Sequence, residues 1–167
     1  MENLMRMFKS PELVDFTKYP TVFQAGSIEM GKAEQWQERM ANEFKDDAVT
    51  FINPRRDDWD ASWVQSINDP QFNAQVTWEL TGLELADIVV FYFDPDTKSP
   101  ITLMELGYVA GMKMESGERD ILVCCPDGFW RKGNVEMICS NVYIPLFNTF
   151  DELVKKLKTK VKSNAYR

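Results

Sequence analysis

Between Pro100 and Met112 the chain reads Ile-Thr-Leu-Met-Glu-Leu-Gly-Tyr-Val-Ala-Gly, and Glu105 is its only carboxylate. The spacing predicts a helix to about Glu115, with Ser99 as N-cap and Pro100 at the first helical position. A carboxylate in the second turn of a helix that is apolar on nearly every side is buried or lines a cavity, and loss of water there raises its pKa. Glu105 is therefore a candidate nucleophile or acid–base group; the alternative is a partner for a structural Arg or a backbone amide. Glu79 lies three residues after Val76 and four before Leu83. Helical geometry puts it on or beside the apolar face of a second helix, although a boundary position gives the same spacing.

The chain of 167 residues has no histidine. That excludes Ser-His-Asp and Cys-His nucleophilic sites, His-ligated zinc and imidazole acid–base chemistry. Two inward acids without histidine suggest sugar chemistry, in which paired carboxylates flank an oxocarbenium-like transition state. No ligand cluster of suitable spacing is present, so no metal and no redox cofactor is expected.

Other residues could bind a substrate. Trp59 and Trp63 stand in a polar stretch, Asp57 to Trp63, where they either stack on a planar base or roof the core. Arg55 and Arg56 meet a phosphate or, as the spacing favours, pair with Asp57 and Asp58. The six basic residues of the last seventeen, against Asp151 and Glu152, read as the solvated face of an amphipathic helix.

The elements that position these residues alternate. Strands are expected at Thr21 to Ala25, Ala48 to Ile52, Ile88 to Phe93, Asp120 to Cys125 and Val142 to Pro145. Helices are expected at Ala33 to Lys45, Gln71 to Leu85 with Phe72, Val76, Leu80 and Leu83 on one side, Pro100 to Glu115, a short piece at Asn134 to Met137, and from the Thr149 capping box onward. This predicts an α/β chain: a single-domain flavodoxin-like/Rossmann-like fold of about five parallel strands with helices on both faces. Residues 1–19 form an N-terminal arm packed on a domain over 20–167. Ligands in such folds bind at the carboxyl ends of strands, where Gly26, Ser27, Asn53, Asp94 and Ser99 fall.

Net charge −7 argues against nucleic-acid backbones or anionic membranes as partners. The longest apolar run, Ile88 to Phe93, is far short of a membrane span. Without a signal-peptide core at the start, a cytoplasmic location is expected. Three cysteines, Cys124, Cys125 and Cys139, read as reduced, buried thiols.

Five motifs in order, Phe23-Gln-Ala-Gly-Ser27-Ile, Asn53-Pro-Arg-Arg, Trp78-Glu79-Leu80, Ala86-Asp87-Ile88 and Met104-Glu105-Leu106-Gly107, resemble the nucleoside 2-deoxyribosyltransferase family and the related 2′-deoxynucleoside 5′-monophosphate N-glycosidases. The likeness spans roughly residues 20–147. The resemblance implies that Glu105 attacks the anomeric carbon to form a glycosyl-enzyme, and that Glu79, where the transferases often have Asp, handles the base and its protonation. It also implies a homo-oligomer in which an Asn of a neighbouring subunit, matched here by Asn134, reaches the sugar hydroxyls. Phe23 stands where the family often has a Tyr that hydrogen-bonds the nucleophile; Tyr108 or Tyr92 could replace that hydroxyl. Six residues before the nucleophile the transferases carry an Asp for the 5′-hydroxyl and the hydrolases a phosphate-binding Ser; this chain has Ser99. Ser27 also resembles the hydrolases, whereas Asn134 resembles the transferases. The implied partners are a nucleoside or nucleotide and a free nucleobase. The leading expectation is a transferase, the first alternative a 5′-monophosphate hydrolase, and the second a non-catalytic nucleotide-binding module.

Overall fold

In the computed structural model, which describes residues 4–29, 33–58 and 60–165, the apolar run beginning at Ile88 becomes the central strand of a parallel sheet. Its side chains alternate, as a strand buried on both faces requires. Val89 and Phe91 join Phe23, Leu83, Leu106 and Val135 on one side. Ile88, Val90 and Tyr92 join Trp36, Met40 and Leu157 on the other. Each such side chain taken fully out of water contributes about 1.5–3 kcal/mol.

The strands are β1 (Arg6–Lys9), β2 (Thr21–Gly26), β3 (Thr50–Asn53), β4 (Ile88–Tyr92), β5 (Asp120–Cys124) and β6 (Leu146–Phe147). They are ordered β1-β3-β2-β4-β5-β6, and every pairing is parallel. From β2 onward this is the flavodoxin-like order, whose switch point falls between β2 and β4 and opens a crevice at their carboxyl ends. The helices among the described residues are α1 (Trp36–Asn42), α2 (Pro70–Leu85), α3 (Pro100–Ser116), α4 (Lys132–Asn141) and α5 (Phe150–Asn164). Core composition puts α2, α3 and α4 on one face and α1 and α5 on the other. No helix among the described residues is long and apolar enough to cross a membrane.

Local chemistry sets the helix starts. The Asp69 carboxylate accepts from the N–H groups of Gln71 and Phe72 to begin α2, and Thr149 and Glu152 form the expected capping box of α5. Cys124 and Cys125, adjacent in sequence, point to opposite faces of the sheet. All three cysteines are free and buried, and burial pushes each thiol up to about 12.

Four details differ from the sequence expectation. The segment 1–19 supplies a sixth strand, β1, beside β3. The last strand starts after Pro145 instead of at Val142: Pro145 has no N–H for a ladder, and Tyr143 turns the chain with φ 56°. The inward side of α2 carries Gln75, Gly82 and Leu83, while Leu80 is 40% exposed. The reason is local, since the Phe23 ring packs so close to Gly82 that a Cβ there would stand 2.4 Å from it. Finally, Ser99 occupies the N-cap of α3 in a left-handed conformation, and its side chain makes no capping bond.

Candidate active site

Glu105 sits in the second turn of α3 at the border between the buried residues Thr102, Leu106 and Val109 and the exposed Ile101 and Tyr108. Its carboxyl is half-buried. Burial first, and the charge of Glu79 second, push it up from 4.5 to about 8. Glu79, half-buried on α2, is also raised by burial, and this is offset in part by the amide N–H of Gln75, which donates to its Oε1 at 2.7 Å. The two carboxyls that sequence reasoning singled out therefore come close enough to feel each other. Among the described residues no side chain donates a hydrogen bond to Glu105.

A chain of contacts holds Glu79. Gln75 also donates to the Pro54 carbonyl at 3.2 Å and accepts from the Arg56 guanidinium at 3.2 Å. Arg56 is in turn fixed by two bonds of 2.8 Å to Asp58 and lies 4.9 Å from the centre of the Trp63 ring. Arg56 thus pairs internally with Asp58, as the spacing favours, while Asp57 pairs with Lys9. Arg55 is buried and donates to the Ala33 and Glu34 carbonyls. Gln75 was not singled out from the sequence, although its i, i+4 relation to Glu79 is the signal that could have found it.

At Phe23 the structure puts a fully buried ring against Gly82 and 6.4 Å from Trp78. Neither tyrosine replaces the missing hydroxyl: Tyr108 donates to Glu84 at 2.5 Å, and Tyr92 points to the opposite face, against Trp36 and Phe150.

The crevice at the switch point gathers Gly26, Ser27, Asp94 and Ser99. Gly26 permits close approach, because a Cβ there would stand 2.5 Å from the Tyr92 carbonyl oxygen. Ser27 Oγ accepts from the Asp94 N–H at 2.9 Å and lies 2.6 Å from Ser99 Oγ. Thr97 Oγ1 lies 2.8 Å from each of those hydroxyls and donates to the Asp94 carbonyl. All three hydroxyl residues are buried. Above them the Glu29 carboxylate accepts from the N–H groups of Lys98 and Ser99 at 3.0 and 2.6 Å. Thr97 and Glu29 were missed by sequence reasoning; Thr97 stands two residues before Ser99, but nothing in the sequence around Glu29 marks it.

Other expected site residues are placed elsewhere. Asp87 lies at the amino end of β4, opposite the crevice, where its carboxylate accepts from the Thr21 N–H and hydroxyl at 2.8 Å and ties β2 to β4. Asn53, buried at the carboxyl end of β3, uses its side-chain oxygen to hold the Arg55 N–H. Trp63 is half-buried beside Arg56, and Trp59 lies outside the described residues. No group of three or more Cys, Asp or Glu among the described residues could hold a metal ion.

Residues 19–129 match the family model described as nucleoside 2-deoxyribosyltransferase like, well over half of the chain. The chain belongs to the nucleoside 2-deoxyribosyltransferase-like family. The segment shared with that family contains both carboxyls and the crevice, and ends before α4. In fold, the chain is similar to the crystal structure of a conserved protein from Enterococcus faecalis V583, with TM-score 0.56, 11% identity, and coverage of 85% of this chain and 99% of that one. No curated protein matches the sequence.

Beyond the part matched to the nucleoside 2-deoxyribosyltransferase-like family, Asn134 is exposed in the first turn of α4. It lines a groove of about 460 Å³ between α3 and α4 with Leu103, Gly107, Trp130 and Ile138. At 100° per residue, Leu103 and Gly107 project from the side of α3 opposite Glu105. Asn134 therefore does not face the Glu105 of its own chain.

Proposed function

We propose that this protein breaks the N-glycosidic bond of a nucleoside or deoxynucleoside by a retaining, two-step route and passes the sugar to another base. The observation that carries this reading is the half-buried carboxyl pair, Glu105 and Glu79, whose raised pKa values let it keep one proton near neutral pH. Burial weighs on Glu105, while the Gln75 N–H favours the ionised form of Glu79, so the proton rests on Glu105. As positive charge develops on the sugar, Glu105 is favoured as the anion and the proton passes by way of Glu79 to the leaving base. A Glu105 oxygen then bonds to the anomeric carbon, and the C–N electron pair leaves with the protonated base. In the second step an incoming base gives its N–H proton to Glu79, and its nitrogen displaces Glu105 from the sugar. Water in the same role gives hydrolysis.

The opposed placement of Asn134 supports a homo-oligomer in which the α3–α4 groove of one copy brings Asn134 to the Glu105 of another. Buried, protonated thiols suit a cytoplasmic setting. A 5′-monophosphate hydrolase is the second reading, favoured by Ser27 and Ser99 in the crevice. The test is exchange of a free base into a deoxynucleoside, together with intact-protein mass measurement using a slow 2-fluoro-substituted substrate. Exchange and a glycosyl adduct, both absent from Glu105→Ala, are the expected results. Exchange at the wild-type rate by Glu105→Ala would sink the mechanism, and nucleoside binding without any adduct would identify a non-catalytic module.

A further inference from the structure

The Gln75 amide beside the carboxyl pair has its direction forced on it. A side-chain amide donates at one end and accepts at the other, and the two ends have nearly the same shape. Here the Nε2 end faces two acceptors, the Pro54 carbonyl at 3.2 Å and Glu79 Oε1 at 2.7 Å. The Oε1 end faces a donor, Nη1 of Arg56 at 3.2 Å. Turning the amide over would set its oxygen against two oxygens and its N–H groups against a cation, so Arg56 helps decide which end Glu79 meets. Gln75 is buried, and little water competes for these bonds.

Arg56 is itself fixed. Its Nε and Nη2 form a two-pronged pair with Asp58 at 2.8 Å each, which leaves Nη1 for the amide. The Trp63 ring lies 4.9 Å from the guanidinium. Arg55, one residue earlier, donates instead to the Ala33 and Glu34 carbonyls. Arg56 therefore reaches Glu79 by way of Gln75. Among the described residues the other groups bearing on Glu79 are few. Glu105 on α3 feels its charge, the segment before β2 gives the Glu12 carbonyl to the neighbouring Trp78 indole, and β2 brings the Phe23 ring. Glu79 Oε2 accepts no hydrogen bond among the described residues, so it is the oxygen left for a proton in transit.

We propose that Arg56 and Gln75 are positioning residues: the guanidinium locks the amide, and the amide pins Glu79 by Oε1 so that Oε2 carries the proton between Glu105 and the base. This rests on the N-glycosyl reading above and adds to it the groups that orient its proton carrier. In the first step Oε2 takes the proton as Glu105 becomes the anion, and gives it to the nitrogen of the leaving base. In the second step Oε2 takes the N–H proton of the incoming base. Oε1 accepts from Gln75 throughout, and no other proton moves.

The experiment follows the two carboxyls by NMR of their side-chain carbons in the full chain without substrate, with Glu79→Gln and Glu105→Gln assigning the signals, and measures base exchange in parallel. Gln75→Met, which keeps the volume and removes the donor, should raise the Glu79 midpoint by about one pH unit, because a hydrogen bond to an ionised group is lost. Arg56→Met should raise it by a smaller amount, and Arg56→Lys, which keeps a donor for Gln75 Oε1, should restore it. Combining Arg56→Met with Gln75→Met should shift it no further than Gln75→Met alone. In exchange, kcat of Gln75→Met should fall about tenfold or more while KM changes less. A merely structural role would lower Tm and leave the midpoints in place. An unmoved midpoint in Gln75→Met overturns the inference, as does a further rise in the double variant, which would mean that the guanidinium acts by its charge alone. Should Gln75→Met not fold, Arg56→Met decides: a rise reversed by Arg56→Lys supports the inference, and an unmoved midpoint overturns it. Midpoints that respond as stated in a wild type that neither exchanges base nor forms a glycosyl adduct overturn the N-glycosyl reading instead.

Discussion

Replacing Glu105 by Gln should abolish transfer and at the same time stabilise the fold at alkaline pH. Burial and Glu79 raise the Glu105 carboxyl from 4.5 to about 8. Between those values the folded protein holds a proton that the unfolded chain has released, so wild-type stability falls as pH rises. This is the reverse of a salt-bridged acid, whose depressed folded pKa makes stability fall with acidification. Followed from pH 5 to pH 8 for this one group, the loss is about 3.5 kcal/mol. Solvent at the open side of the half-buried carboxyl reduces the expected loss to about 2 kcal/mol. At this chain length 1 kcal/mol corresponds to roughly 2–4 °C in Tm, so the wild type should lose about 4–8 °C relative to Glu105→Gln over that range. Calorimetric melting of both proteins across the range is the assay. Parallel curves of Tm against pH would refute the idea that Glu105 is desolvated beside a second acid.

Three further outcomes are expected. Because the proposed reaction needs one proton on the Glu79–Glu105 pair, kcat/KM should fall as pH rises through about 8; a profile with only ordinary carboxylate inflections near pH 4 would contradict this. Gly82→Ala should cost about 1–3 kcal/mol in denaturant unfolding, since its Cβ meets the Phe23 ring, and unchanged stability would mean that the ring moves freely. Ile138→Glu, which puts a charge in the α3–α4 groove, should shift sedimentation toward the monomer and lower exchange activity with it; a variant that stays assembled would place the interface elsewhere.

The fold was legible where apolar period and helix caps agree. The run at Ile88 marked the central strand, and Thr149 with Glu152 marked the start of α5. The arm concealed β1, because Arg6 to Lys9 carries two cations and shows no buried-strand pattern, and its strand character comes from pairing with β3. On α2 the sequence showed a leucine at 80 but not that Phe23 needs the space over Gly82, a contact between residues far apart in the chain. Glu105 was legible because an acid in so apolar a helix stands out. Glu29 was not, because its role arises from a turn that brings it to an N-terminus 70 residues away. Asp87 shows the opposite case: it sits in one of the five motifs that resemble the family, yet the two bonds its carboxylate accepts from Thr21 serve the sheet.

The edge strand β1 has a kinetic consequence. Arg6 pairs with Thr50 across more than forty residues of chain, a costly loop closure, and β1 has β3 as its one neighbour in the sheet, which makes it an early departure in local unfolding. When it departs it takes two tethers with it. Lys9 releases Asp57, and the Glu12 carbonyl releases the Trp78 indole N–H at 2.9 Å. Asp57 adjoins Arg56 and Asp58, and Trp78 adjoins Glu79. Fraying of a segment outside the matched family region therefore loosens the surroundings of Glu79, and amide exchange at Phe8 and around Glu79 should share one opening free energy.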